Sequence, residues 1–140
     1  MIFKAPVDLA TLNVLNLNSL AGQVGIEFVE VGDDFLTARM PVDERTRQPF
    51  GILHGGASVA LAETVGSVAA MLCIDLAQQY ALGLDINANH LRPVKSGYVY
   101  GTARPVHRGQ RTQVWEIKIT DEAQNLVCIS RLTLIIVDRA

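Results

Sequence analysis

The sequence predicts an α+β fold, an antiparallel sheet of about six strands curled around one long helix. Three observations predict it. A stretch from about Ala57 to Leu76 is apolar and of helical length. Six other runs read as strands joined by short turns, which antiparallel pairing allows and parallel pairing does not. Ala57, Ala60, Ala62, Gly66, Ala69 and Ala70 are small, so a sheet could approach the helix on several sides. A helix apolar nearly all round is a buried one.

Taken in order, Val7, Leu9, Leu12, Leu15 and Leu17, with Asp8 as a possible N-cap, predict a short amphipathic helix over 8–17. Gly25 to Val31 reads as a strand, Gly32-Asp33-Asp34 as a turn, and Phe35 to Val42 alternates as a second strand. Asp43 to Ile52 is a polar loop, and the long helix follows it. Ala81 to Leu91 and Gly97 to Pro105 are the next two strands. Thr112 to Thr120 places Val114, Glu116, Lys118 and Thr120 on one face, with Trp115 as a core residue. Leu126 to Val137 is the last and most apolar strand. His107-Arg108-Gly109-Gln110 and Asp121 to Asn125 are the turns on either side of 112–120. The order is α-β-β-α-β-β-β-β. With no linker, repeat or low-complexity segment, one domain over 1–140 is expected.

The 140 residues are 49% hydrophobic and the mean hydropathy is +0.25. Apolar surface in such excess is often covered by oligomerisation. A net charge of −2 with scattered Lys and Arg argues against a nucleic-acid partner, while leaving room for a local basic pocket. No uncharged apolar run reaches the length of a membrane span, so no membrane partner is expected. MIFKAPVDLATLN has neither a long apolar core nor a cleavage signal. Cys73 and Cys128 are far apart, with no metal-ligand spacing. A reduced, cytoplasmic chain with buried thiols and no metal is the reading.

Glu63 stands out. It sits in the apolar helix nine positions after the turn His54-Gly55-Gly56. A carboxylate there costs several kcal/mol unless it is paired or hydrogen-bonded. It therefore either holds a structural network or does chemistry.

The segments Met40–Ala70 (MPVDERTRQPFGILHGGASVALAETVGSVAA), Gly83–Gly97 (GLDINANHLRPVKSG) and Gln113–Ile119 (QVWEIKI) resemble the hotdog-fold acyl-CoA thioesterases. They are most similar to the branch holding the Arthrobacter-type 4-hydroxybenzoyl-CoA thioesterases and the bacterial 1,4-dihydroxy-2-naphthoyl-CoA hydrolases. The likeness covers nearly the whole chain. It implies hydrolysis of aryl or medium acyl-CoA thioesters, with 1,4-dihydroxy-2-naphthoyl-CoA of menaquinone biosynthesis favoured. Coenzyme A then serves only as part of substrate and product, with no other cofactor, and the assembly is a homodimer or a homotetramer of paired dimers.

Thioester hydrolysis needs a polarised carbonyl, a nucleophile and a thiolate able to leave. Gly55-Gly56 opens the helix with free N–H groups at the positive end of its dipole, a donor site for an oxyanion. The resemblance makes the Gly55 N–H that donor. Glu63 is then a base acting on water or a nucleophile giving an anhydride. Ser67, at i+4, faces the same way and would orient Glu63 or the water, unless it only bonds back to its own helix. By resemblance Gln48 and His54 position the thioester and steady the departing sulfur; otherwise Gln48 orders its loop and His54 caps the helix. Nine helical residues at ~1.5 Å span roughly 13 Å, too far for one chain's HGG turn and Glu63 to flank one carbonyl, since near-attack contacts are about 3 Å. The site is expected at a two-fold interface.

Asp85, Asn87 and Asn89 alternate onto one strand face, with His90 and Arg92 on the other. The asparagines suggest a hydrogen-bond network with the HGG loop. Gly83, His90-Leu91-Arg92, and the turn His107, Arg108, Gly109, Gln110, Arg111 and Thr112 match the family's coenzyme-A-contacting segments. His90, Arg92, Arg108 and Arg111 would form a basic rim for its phosphates, or simply a solvated charged edge. Two other functions compete. A hotdog dehydratase or hydratase would need an active-site His in a different sequence context, and a non-catalytic acyl-CoA-binding module would not need Glu63.

Overall fold

The computed structural model describes residues 1–140. Asp8 caps the first helix, α1 (Leu9–Asn16), by accepting the Ala10 N–H at 3.1 Å. A one-turn helix that the sequence did not announce follows, α2 (Leu20–Gln23). Its Gly22 is required because a Cβ there would run into the Leu17 carbonyl. The strands are β1 (Glu27–Val31), β2 (Leu36–Pro41), β3 (Gln79–His90), β4 (Tyr98–Arg108), β5 (Thr112–Thr120) and β6 (Leu126–Asp138), with α3 (Gly55–Leu72) between β2 and β3. They form one sheet in the order β1-β2-β4-β5-β6-β3, and every neighbouring pair is antiparallel. This is the α+β hotdog architecture expected, with six strands around a long central helix.

Period-two burial builds the core. On β5, Gln113, Trp115, Ile117 and Ile119 are buried, and the residues between them are not. Leu132 and Leu134 of β6, Leu36, Ala38 and Met40 of β2, and Val99 and Ala103 of β4 complete the layer against α3. Two small residues set the helix–sheet distance. A Cβ on Gly66 would lie 2.8 Å from Leu132 Cδ2, and one on Gly101 3.1 Å from Leu61 Cγ.

Three expectations need correction. First, α3 covers Gly55–Leu72 rather than Ala57–Leu76. His54 caps it early, and at its end the Cys73 N–H turns to the Ala70 carbonyl (3.1 Å) while Asp75 gathers residues 77–79 into a turn. Second, α3 is long and apolar enough to cross a membrane, yet only one stripe of it is buried, Ser58, Leu61, Ala62, Val65, Gly66, Ala69 and Ala70. Val59, Ala60, Glu63, Thr64, Ser67, Val68 and Met71 are only half-buried. Third, His107 and Arg108 belong to β4, so the turn before β5 is shorter than expected; it is closed by Gly109 N–H to Thr112 O at 2.8 Å.

β1 and β3 are the sheet's edges. α1 packs on β1. β3 is 12 residues long, and Leu82 and Leu84 on it are exposed.

Candidate active site

The loop before α3 is held by buried Thr46. Its hydroxyl donates to the Pro41 carbonyl (2.7 Å) and accepts the Asp43 N–H (3.1 Å). The His54 N–H then bonds to the Thr46 carbonyl and the Leu53 N–H to the Val94 carbonyl, both at 2.8 Å. Between these anchors Gln48 to Gly51 turn back on themselves, with Gly51 at φ +87°. The Gln48 side-chain oxygen accepts the Phe50 N–H, so this amide does order its loop; its nitrogen remains unengaged within the chain. Phe50, at the loop tip, is 91% exposed.

At the start of α3 the amides can be accounted for one by one. His54 Nδ1 accepts the Gly56 N–H at 2.8 Å. The Ala57 and Ser58 N–H groups return to the His54 carbonyl at 3.0 and 3.3 Å. The Gly55 N–H meets no acceptor in the chain. His54 is therefore a cap, as its structural reading expects, and its capping leaves one free donor at the positive end of the helix.

Around that donor lies a cleft of about 510 Å³, lined by Gln48, Gly55, Ser58, His90, Leu91 and Arg92 among others. His90 faces inward from β3: a Cβ on Gly55 would lie 3.0 Å from His90 Nε2. Ser58, buried at 2%, is a polar lining residue that the sequence reading passed over. Its place in the first turn of α3, just after the HGG motif, was the available signal.

Glu63 is half-buried and has no hydrogen bond or ion pair within the chain. The desolvation expected of it is only partial in one chain. Its Oε2 lies 2.7 Å from where a Cβ of Gly83 would be. Gly55 and Glu63 stand eight residues apart on one helix (63 − 55 = 8), a rise of ~12 Å. Ser67 shares Glu63's face and makes no side-chain bond to its own helix. Asn87 and Asn89 point outward, and the expected network with the HGG loop is not formed; only the Asn87 carbonyl is used, by Ser130 Oγ at 2.7 Å.

The expected basic rim is split. His90 pairs with Cys128 of β6 and Thr112 with Ile135. Seven strand residues (135 − 128 = 7) at ~3.3 Å separate the two ends by roughly 23 Å. His90 and Arg92 therefore belong to the cleft at Gly55. Arg108, Gly109, Gln110 and Arg111 line a second cleft, of about 610 Å³, with Lys4 and Cys73 at the far end of α3. Lys4 had no sequence signal, because its place depends on its N–H bonding to the Leu72 carbonyl at 2.9 Å.

Comparison with known proteins bears on what this arrangement does. The thioesterase superfamily model matches residues 50–128. A 1,4-dihydroxy-2-naphthoyl-CoA hydrolase from Escherichia coli is 52% identical over 133 residues, 95% of this chain and 97% of the relative. A proofreading thioesterase from Cronobacter turicensis is 48% identical over 95% of this chain and 96% of its own length. The crystal structure of a thioesterase from Haemophilus influenzae superposes with a TM-score of 0.96 at 51% identity, covering 99% of this chain and 96% of the other.

Proposed function

The chain belongs to the thioesterase superfamily, and on that footing we propose that it hydrolyses aryl or medium acyl-CoA thioesters, 1,4-dihydroxy-2-naphthoyl-CoA foremost, at sites shared between two subunits. One observation carries the reading. The Gly55 N–H is the free amide at the start of α3, and the unpaired Glu63 carboxylate lies on the same helix, too far away to act with it in one chain.

A two-fold arrangement resolves that separation. Edge strand β3 is long and uncovered, a template for pairing with a second copy. Antiparallel pairing of two β3 strands about a point near Ile86 and Asn87 sets Gly83 of one chain opposite the partner's His90 (83 + 90 = 86 + 87). Glu63, seated at Gly83, then approaches the partner's Gly55, which lies beside the partner's His90. The half-buried face of α3 packs against its antiparallel counterpart. The same operation carries the partner's Arg108 and Arg111 toward the end held by His90 and Arg92, so the two halves of the basic rim serve one coenzyme A.

In the reaction so drawn, the thioester oxygen accepts the Gly55 N–H, which stabilises the charge developing on it. The partner's Glu63 takes a proton from water as the water adds to the carbonyl; the C–S bond breaks, and that proton passes to the departing thiolate. Alternatively, Glu63 itself adds to the carbonyl and expels the thiolate, and water then hydrolyses the resulting anhydride, releasing the acid, restoring the carboxylate and supplying the thiolate's proton. The free nitrogens of Gln48 and His54 stand beside that path, and Ser67 orients the carboxylate. Coenzyme A enters and leaves as part of substrate and product, without a further cofactor. Phe50, Val68, Leu72 and Tyr80 shape the acyl pocket. The proposed assembly is a homodimer, doubled to a homotetramer, in the cytoplasm.

The test is thiol release from dihydroxynaphthoyl-CoA, benzoyl-CoA and fatty acyl-CoA by the wild type and Glu63→Ala. The expected result is turnover of the aryl thioesters and a loss of about 10²–10⁴-fold in the variant, the range for a positioned acid–base group. Undiminished turnover in Glu63→Ala would sink the mechanism.

A further inference from the structure

We propose that Gly83 is a positioning residue: its missing side chain leaves the space that seats the Glu63 carboxylate on edge strand β3. The inference rests on Glu63 being the reacting carboxylate. A Cβ on Gly83 would stand 2.7 Å from Glu63 Oε2, and 3.8 Å from both Glu63 Cδ and Leu132 Cδ1. The first distance is well inside van der Waals contact, and the others are ordinary. The conflict is therefore with the carboxylate alone.

Two further facts give this contact its meaning. Glu63 has no hydrogen bond or ion pair in its own chain, so packing against β3 is what fixes its end. Gly83 also lacks the left-handed backbone that would demand glycine for conformational reasons; the glycines with positive φ are Gly25, Gly51 and Gly97. Alanine is thus allowed at 83, and in a strand it restricts the unfolded chain more than glycine does. Gly66 makes a contrast, because its Cβ would meet Leu132 and Ile117 in the packed core. At Gly83 the neighbour that must yield is the flexible tip of the residue that does the chemistry. The adjacent bulge between Gly83 and Asp85 bends β3 at the same point. The role of Gly83's missing side chain is then to aim Glu63 at the second subunit.

The experiment is Gly83→Ala in two backgrounds, wild type and Glu63→Asp, with kcat, KM, coenzyme A affinity, Tm and dimer content measured for each. In the wild type, kcat falls about 100-fold, the scale for a misplacement of about 1 Å. KM and coenzyme A affinity stay within about twofold, and Tm does not fall. Glu63→Asp withdraws the carboxylate from β3 by one methylene, so there the added methyl has little further effect. Equal losses in both backgrounds would overturn the proposal, because the methyl would then act through the fold and not through the carboxylate. So would an unchanged kcat with a raised KM, which would make Gly83 a coenzyme A contact. Full turnover in Glu63→Ala would overturn the reading of Glu63 instead, and so separates the two failures.

Discussion

At the scale of single residues, the side chains with the greatest effect are those whose polar atoms have been assigned or deliberately left free. His54 accepts the Gly56 N–H, so His54→Ala removes a helix cap. The expected cost is about 1 kcal/mol of stability, read from urea unfolding, together with a lower kcat if its Nε2 steadies the thiolate. The two thiols give a pH prediction. Burial pushes Cys73 above its ordinary value of 9.0, with Arg108 pulling partly the other way, and burial raises Cys128 as well. Between the unfolded and folded values the native state holds more protons than the unfolded one. The stability these thiols contribute is full below about pH 9 and is lost as pH rises through the folded values. Urea midpoints should therefore fall on the alkaline side, and less steeply in Cys128→Ala. Of the site residues, Glu63 and the His-Gly-Gly turn were conspicuous in the sequence because a charge in an apolar helix and two consecutive glycines are local anomalies. Ser58 and Lys4 were not, since nothing around them in the chain is unusual.

At the scale of elements, periodicity carried most of the information. β5 has the bounds expected of it, because its alternation is strict and ends in turn residues at both sides. Trp115 is fully buried, and its Nε1–H donates to Gln113 Oε1 at 2.7 Å in the core. Trp115→Phe leaves that amide oxygen unpaired, and a loss of ~1–3 kcal/mol from the acceptor alone is expected in chemical denaturation. Gly66→Ala tests the helix–sheet distance. Its Cβ would press on Leu132 and Ile117, and overpacking of about 1–3 kcal/mol should appear as a lower Tm. The ends of α3 were less legible, since His54 and Asp75 decide them through hydrogen bonds that no apolar pattern records. α2 escaped notice because four residues are too few to show a period.

At the scale of the whole molecule, the proposed shared site makes a quantitative prediction. Gly55→Pro removes the free amide at the first helical position, where proline is best tolerated, although the His90 ring must shift to admit it. Mixed in equal amounts after subunit exchange, Gly55→Pro and Glu63→Ala chains should form heterodimers with one intact site of two. Since half the dimers are mixed, about a quarter of wild-type activity should return. No recovery, with dimers confirmed by sedimentation, would exclude a site shared between chains. The sequence by itself determined the antiparallel six-stranded sheet and the long helix, and it singled out Glu63 and the His-Gly-Gly turn as candidates, because apolar period and local anomaly are properties of neighbouring residues. The tertiary structure alone decided that Gly83 lies against the Glu63 carboxylate, that His90 lies beside Gly55 and that the basic residues divide between two ends. Those relations join residues on different elements, and their distances are set by how the sheet curls around the helix, which no stretch of chain encodes on its own.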